Sequence, residues 1–198
     1  MAVVDLTAGL ILVTGPSRSG KSRWAEHLVE QHSDVTYVAT SAPRPNDANW
    51  QQRILRHRQR RPSRWSVVEC GADLAGAMHT IPANQTLLID ALGGFTASYL
   101  DLDVDAWNKV TSHLMHALLA RSQPVVMVVE ETGWGVVPAT AIGGRFRDRQ
   151  GELAQVLERH ASASWLVVQG RAVNLHSVGV AVPPVSYTHL TLPTTYTV

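Results

Sequence analysis

The sequence predicts a doubly wound α/β domain built around a phosphate-binding loop. Two observations predict it: short apolar runs alternate with helical patterns along most of the 198 residues, and the first run leads into "GPSRSGKS", Gly15 to Ser22. The runs are "GLILVTG", "VTYVATS", "TLLIDALGG", "PVVMVVEETG" and "SWLVVQG". Each is short, rich in Val, Ile or Leu and apolar on both faces, as parallel strands covered by helices on both sides must be. Between them, "GKSRWAEHLVEQH", "NDANWQQRILRHRQ", "DVDAWNKVTSHLMHALLARS" and "GRFRDRQGELAQVLERHA" space their apolar residues three and four apart, with Asn or Asp near two of the starts. Strand and helix in alternation give a parallel sheet layered by helices.

The length suits one domain with a well-buried core. With 45% hydrophobic and 17% charged residues, a net charge of +1 and a pI near 8.0, the composition is that of an ordinary globular protein. No global charge argues for nucleic acid or an acidic membrane surface. A single cysteine, Cys70, excludes an intrachain disulfide and every multi-cysteine metal site, and is expected to be a small buried residue in a reducing cytoplasm. The apolar N-terminus carries Asp5 and runs straight into a glycine turn, which reads as a strand and not a signal peptide. No run approaches the roughly 18 apolar residues of a membrane span. After about Gly179 the chain turns to "VAVPPVSYTHLTLPTTYTV", rich in Thr and Pro and without periodicity. The expected organisation is one domain over 1–179 and a disordered or foreign tail over 180–198.

"GPSRSGKS" matches G-x-x-x-x-G-K-[ST], with an apolar run before it and a helical pattern after it. In such a loop (Gly15, Pro16, Ser17, Arg18, Ser19, Gly20, Lys21, Ser22) backbone N–H groups and a helix N-terminus face the phosphates. Lys21 reaches the β and γ oxygens, and the Ser22 hydroxyl joins a Mg²⁺ shell. The ligand is a nucleoside triphosphate. The fold also wants a carboxylate at the end of a neighbouring strand, to hold Mg²⁺ directly or through water. Asp90, closing "TLLID", takes that position, although a strand-end aspartate is also a common helix cap. Glu130 and Glu131 close a second strand and lead into a turn-rich loop at the edge where ligands bind in open α/β sheets; either could equally be a solvated loop charge.

"RILRHRQRRPSRW", Arg53 to Trp65, holds six arginines and one histidine. As a helix, it brings Arg53, Arg56, His57, Arg60 and Arg64 along one face, where like charges repel. Three readings remain open: a solvated basic helix, a nucleic-acid patch, or arginines on a triphosphate with His57 as nucleophile or acid/base. An imidazole can attack phosphorus to give a phosphoramidate, dividing a difficult transfer into two steps. Neighbouring guanidinium groups disfavour the imidazolium and stabilise phosphoryl charge in the transition state. Without nucleotide, the histidine is expected to stand away from the phosphate loop and to swing in on binding.

The loop "GPSRSGKS", "YVATS", "RILRHRQRRPSRW" followed by Glu69, "LLID", and "EETGWGVVP" leading into "GGRFRDRQGELAQ" together resemble the adenosylcobinamide kinase / adenosylcobinamide-phosphate guanylyltransferase family of cobalamin biosynthesis. The resemblance covers roughly Leu10 to Leu175. It implies a RecA-like P-loop sheet and a bifunctional cytoplasmic enzyme. Such an enzyme phosphorylates adenosylcobinamide with ATP or GTP, then transfers GMP from GTP to the new phosphate through a guanylylated histidine. His57 matches that histidine, with Lys21 as the second catalytic residue. By the same carry-over Gly15 to Ser22, Ala39, Thr40, Ser41, Arg61, Pro62, Ser63, Arg64, Glu69 and Asp90 contact nucleotide, and Ser22 and Asp90 hold Mg²⁺. Assembly as a trimer is implied, with no nucleic-acid partner and no membrane span. Where many members read Thr-Asn-Glu-Val-Gly, this chain has Val129, Glu130, Glu131, Thr132 and Gly133. A plain P-loop small-molecule kinase and a RecA-like nucleic-acid-binding ATPase are the competing functions. His113 and His116 have no third ligand near them in sequence; Trp107 and Trp165 are expected in the core, and Trp134 is kept as a possible substrate contact.

Overall fold

The structure is a computed structural model that describes residue 6, residues 8–41 and residues 45–183. The chain runs β1 (Leu10–Gly15), α1 (Lys21–Val29), β2 (Val35–Ala39), α2 (Ala48–Arg60), β3 (Ser66–Glu69), α3 (Leu74–Thr80) and β4 (Thr86–Asp90). It continues α4 (Leu92–Ser98), α5 (Val104–Leu119), β5 (Val125–Glu130), α6 (Ala141–Glu158), β6 (Ala161–Val168), β7 (Arg171–Asn174) and α7 (Leu175–Val178). Among the described residues the strands form one sheet in the order β3-β2-β4-β5-β1-β6-β7, all parallel except β7, which returns antiparallel on β6. This is the predicted P-loop, RecA-like class of mostly parallel sheet with helices on both faces.

Period-2 geometry divides the apolar strands between two cores. From β1, Leu10 and Leu12 face one side with Leu74, Phe95, Leu114 and Leu157, while Ile11 and Val13 face the other with Ala25, Leu28 and Val29 of α1. Trp107 lies in the first core as expected, and Trp165 packs at the edge of the second. Helix α2 belongs to neither: none of its described side chains is buried. Arg121, just past α5, donates to the carbonyls of Ile81 at 2.9 Å, Pro82 at 2.7 Å and Gln85 at 2.8 Å, fastening the loop that feeds β4.

Several sequence expectations need correction. β4 is not the neighbour of β1, because β5 lies between them and Glu130, not Asp90, sits in register with Gly15. Helix α2 ends at Arg60, so Arg64 is not on the helical face with His57; Pro62 starts the following turn, where the Trp65 N–H bonds back to its carbonyl at 3.1 Å. α6 begins at Ala141, three residues before the expected start, capped by the Thr140 hydroxyl, which accepts from the Gly143 N–H at 3.2 Å. β6 also starts three residues early, at Ala161. Strand β3, helices α3 and α4 and the β6–β7 hairpin were not foreseen. Residues 180–183 have no regular structure and are exposed, and the rest of the proposed tail lies outside the described residues.

Candidate functional site

The phosphate loop joins β1 to α1, and its shape follows from a close approach. Gly15 has φ +149, and a Cβ there would run into the carbonyl oxygen of Val167 on β6, so only glycine lets the loop lie against the next strand. The loop is pinned on both sides: the Glu131 N–H donates to Gly15 O at 2.9 Å and the Gly170 N–H to Ser19 O at 2.9 Å. Lys21 is buried, its Nζ donating to Pro16 O at 2.8 Å across the loop. Among the described residues the buried Ser19 Oγ has no hydrogen-bond partner, an orphan polar atom inside the loop.

Asp90 is the centre of the site. Its Oδ1 lies 3.5 Å from Ser22 Oγ, and its Oδ2 accepts from Tyr37 OH at 2.9 Å and lies 3.4 Å from His57 Nδ1. One carboxylate therefore touches both the phosphate loop and the candidate nucleophile. Burial alone would raise the Asp90 carboxyl, but the bonds from His57, Tyr37 and Ser22 outweigh it and hold the group below the usual aspartate range. Burial first and the Asp90 charge second push the Tyr37 hydroxyl well above the ordinary phenol range, so it acts as a donor. The expected separation of His57 from the loop is not seen: α2 is laid across the strand ends, and the ring is one carboxylate away from Ser22. Nor are its neighbours only guanidinium groups. Nδ1 faces Asp90, Glu26 Oε1 at 4.0 Å and Arg60 Nη2 at 3.5 Å.

Four of the arginines in the basic stretch have protein partners. Arg58 pairs with Glu69 at 3.2 Å, Arg60 grips Glu26 with two bonds, and Arg64 Nη2 donates to Glu30 O at 2.7 Å at the end of α1. Arg61 stacks its guanidinium 3.5 Å from the Tyr37 ring centroid. Between α2 and the edge strands lies a cavity of about 630 Å³ lined by Tyr37, Ala39, Ser41, Gln52, Leu55, Arg58, Arg61, Glu69 and Asp90, among others. Its size and mixed lining suit a nucleoside. Of the residues expected to contact nucleotide, Ala39, Ser41, Arg61, Glu69 and Asp90 converge on this cavity. Thr40 is buried and its hydroxyl donates to the Ala91 carbonyl, while Pro62, Ser63 and Arg64 lie off the cavity wall. Cys70, expected to be buried, is only half-buried beside Glu69, and burial pushes its thiol up to about 11.

The two glutamates at the end of β5 separate. Glu131 caps its own loop, accepting from the Gly133 N–H at 2.6 Å. Glu130 is turned inward, accepts from the Gly93 N–H at 2.8 Å, and is pushed above the usual glutamate range mainly by burial. A carboxyl whose folded pKa is raised stabilises the fold fully below its unfolded pKa and loses that contribution as pH rises through the folded value. Glu130→Gln is therefore expected to raise the melting temperature at pH 8 and to leave it unchanged near pH 4, as differential scanning calorimetry of the two proteins would read. Tyr37 and Glu26 were missed in the sequence. Tyr37 hides inside an apolar strand run; Glu26 stands four residues after Ser22, on the same face of α1, which was the available signal.

Ser22 Oγ and Asp90 Oδ1 present hard oxygen donors at the loop, which fits Mg²⁺, an ion that takes one or two protein oxygens and completes its shell with phosphate and water. Among the described residues no group of three or more His, Cys, Asp or Glu side chains forms a protein-only metal cage, and no helix is long and apolar enough to cross a membrane.

The family model described as cobinamide kinase / cobinamide phosphate guanyltransferase matches residues 11–175. The chain is 36% identical to the bifunctional adenosylcobalamin biosynthesis protein CobU of Escherichia coli (strain K12), over 84% of this chain and 99% of that one. It is also 36% identical to the CobU protein of Salmonella typhimurium, over 84% and 99%. Among solved structures, an ATPase from the type III secretion system of pathogenic bacteria shares the fold, with a TM-score of 0.52, 12% identity and coverage of 87% of this chain and 59% of that one. The phosphate loop, the histidine-bearing helix and the match across nearly the whole sheet place this chain in the cobinamide kinase / cobinamide phosphate guanyltransferase family.

Proposed function

We propose that the protein phosphorylates adenosylcobinamide with ATP or GTP and then transfers GMP from GTP to adenosylcobinamide phosphate through a guanylylated His57. Membership of the family supports both half-reactions. The observation that carries the second is the Ser22–Asp90–His57 chain, which puts an imidazole beside a triphosphate loop.

Asp90 Oδ2 faces Nδ1, so the ring proton sits on Nδ1 and the lone pair on Nε2. Nε2 attacks the α-phosphorus of GTP, the bond from that phosphorus to the bridging oxygen breaks, and pyrophosphate leaves. The positive charge gained by the ring falls beside the Asp90 carboxylate. A phosphate oxygen of adenosylcobinamide phosphate then attacks the same phosphorus and the P–N bond breaks, returning the pair to Nε2. Lys21 and the loop N–H groups hold the triphosphate tail and take up charge on the departing pyrophosphate. Ser22 and Asp90 would hold Mg²⁺, which neutralises phosphoryl charge. In the kinase step the same loop presents the γ-phosphoryl group. The cavity beside Glu69 and Arg61 is the place for the base, and Gly15 to Ser22 for the phosphates. The reading extends to a cytoplasmic trimer by family likeness; exposed Trp134, Val136, Val137 and Ile142 supply apolar surface that assembly or the corrin ring would cover.

The test is a chase. Incubation with GTP labelled at the α-phosphate is expected to leave acid-labile, alkali-stable label on the protein, which moves to adenosylcobinamide phosphate when that is added. Absence of protein label from the folded enzyme would remove the guanylyl-transfer half and leave a kinase.

A further inference from the structure

Among its described residues, the helix that carries His57 is held by polar tethers. None of the described side chains of α2 is buried, and its last turn meets the body of the protein at charged and polar groups. The strongest tether is a two-pronged one. Glu26, on α1 one turn beyond Ser22, has a side chain only 13% exposed, and its two oxygens accept from Arg60 Nε at 3.1 Å and Arg60 Nη2 at 3.0 Å. Arg60 stands one turn after His57, and its Nη2 lies 3.5 Å from His57 Nδ1.

We propose that Glu26 is a positioning residue for His57, acting through Arg60: the fork fastens the last turn of α2 to the phosphate-loop helix and sets the imidazole in reach of the α-phosphorus. The inference rests on the guanylyl-transfer reading above. Two effects of Glu26 compete. Its charge, 4.0 Å from Nδ1, could stabilise the cationic ring directly, but Arg60 sits closer to the same oxygens and nearly cancels it at the histidine. Geometry is what remains. A guanidinium–carboxylate fork fixes direction as well as distance, which a lysine in place of Arg60 cannot do. A displacement of the reacting group by about 1 Å costs on the order of 10²-fold in rate.

The experiment is single-turnover labelling with α-labelled GTP on the full chain, comparing wild type, Glu26→Gln, Arg60→Lys and the double variant. Wild type is expected to label and His57→Ala not to. Glu26→Gln and Arg60→Lys should each label about 10- to 100-fold more slowly at saturating GTP, with the concentration for half-maximal rate moving less than about threefold. The double variant should be no slower than either single one, because the fork acts as one unit. Melting temperatures should stay close to wild type, since neither Arg60 nor any other described side chain of α2 joins either core. Wild-type labelling rates in Arg60→Lys would overturn the proposal by showing that charge alone suffices. A raised half-maximal concentration with an unchanged rate would overturn it in favour of Arg60 as a triphosphate ligand. If Glu26→Gln does not fold, the exposed Arg60→Lys decides alone. Failure of wild type to label would instead bring down the guanylyl-transfer reading, and this inference with it.

Discussion

Replacing His57 with alanine is expected to abolish guanylyl transfer while adenosylcobinamide is still phosphorylated. Loss of a nucleophile in a two-step transfer leaves no covalent route, so GMP transfer should fall by about 10³-fold or more. The kinase step delivers its phosphoryl group directly from the loop to a hydroxyl, and the imidazole reaches that site only through the Asp90 carboxylate. Separate assays of the two half-reactions, one with adenosylcobinamide and ATP and one with adenosylcobinamide phosphate and GTP, check this. Equal losses in both would mean that His57 binds nucleotide and does not accept GMP.

Asp90→Asn should show the opposite pattern, a joint loss. The carboxylate faces Ser22 through one oxygen and His57 and Tyr37 through the other, so it serves both the phosphate site and the histidine. Each half-reaction is expected to fall by about 10²-fold, the usual consequence of losing a group that orients a reacting side chain and supports a metal. The stability effect has a definite sign. The folded pKa of Asp90 is depressed, so its contribution is present above the unfolded aspartate value of about 3.9 and is lost as pH falls through the folded one. Asp90→Asn should therefore lower the melting temperature at pH 7 and converge with wild type in strong acid.

Much of the fold was legible because its main elements are long or strongly apolar. The five apolar runs became β1, β2, β4, β5 and the later part of β6, and Gly15 to Ser22 became the loop its spacing announces. The missed elements are short. β3 is a four-residue edge strand with an exposed pattern, so neither period nor hydrophobicity marks it. The start of α4 is absorbed into the apolar run that ends in Gly93 and Gly94, and those glycines are there for contact: a Cβ at Gly94 would strike the Thr40 side chain. The β6–β7 hairpin turns at Gln169 and Gly170, both at positive φ, a two-residue turn whose first residue gives no warning. For the candidate site, sequence singled out the loop, Asp90 and His57 but not how they meet. Strand order decides that, and strand order is a property of the folded sheet: β5 separates Asp90's strand from the loop's, and Ser22 and Asp90 still meet because α1, which carries Ser22, packs over both β5 and β4. The arginine cluster was the least legible feature, since pattern shows six like charges and hides the glutamates across from them.

The most direct test of the central claim is the site of modification. After incubation with GTP and Mg²⁺ without acceptor, proteolysis under alkaline conditions and mass spectrometry should find one GMP adduct on the peptide that contains His57. An adduct on Lys21, or on any other residue with His57 unmodified, would contradict the account.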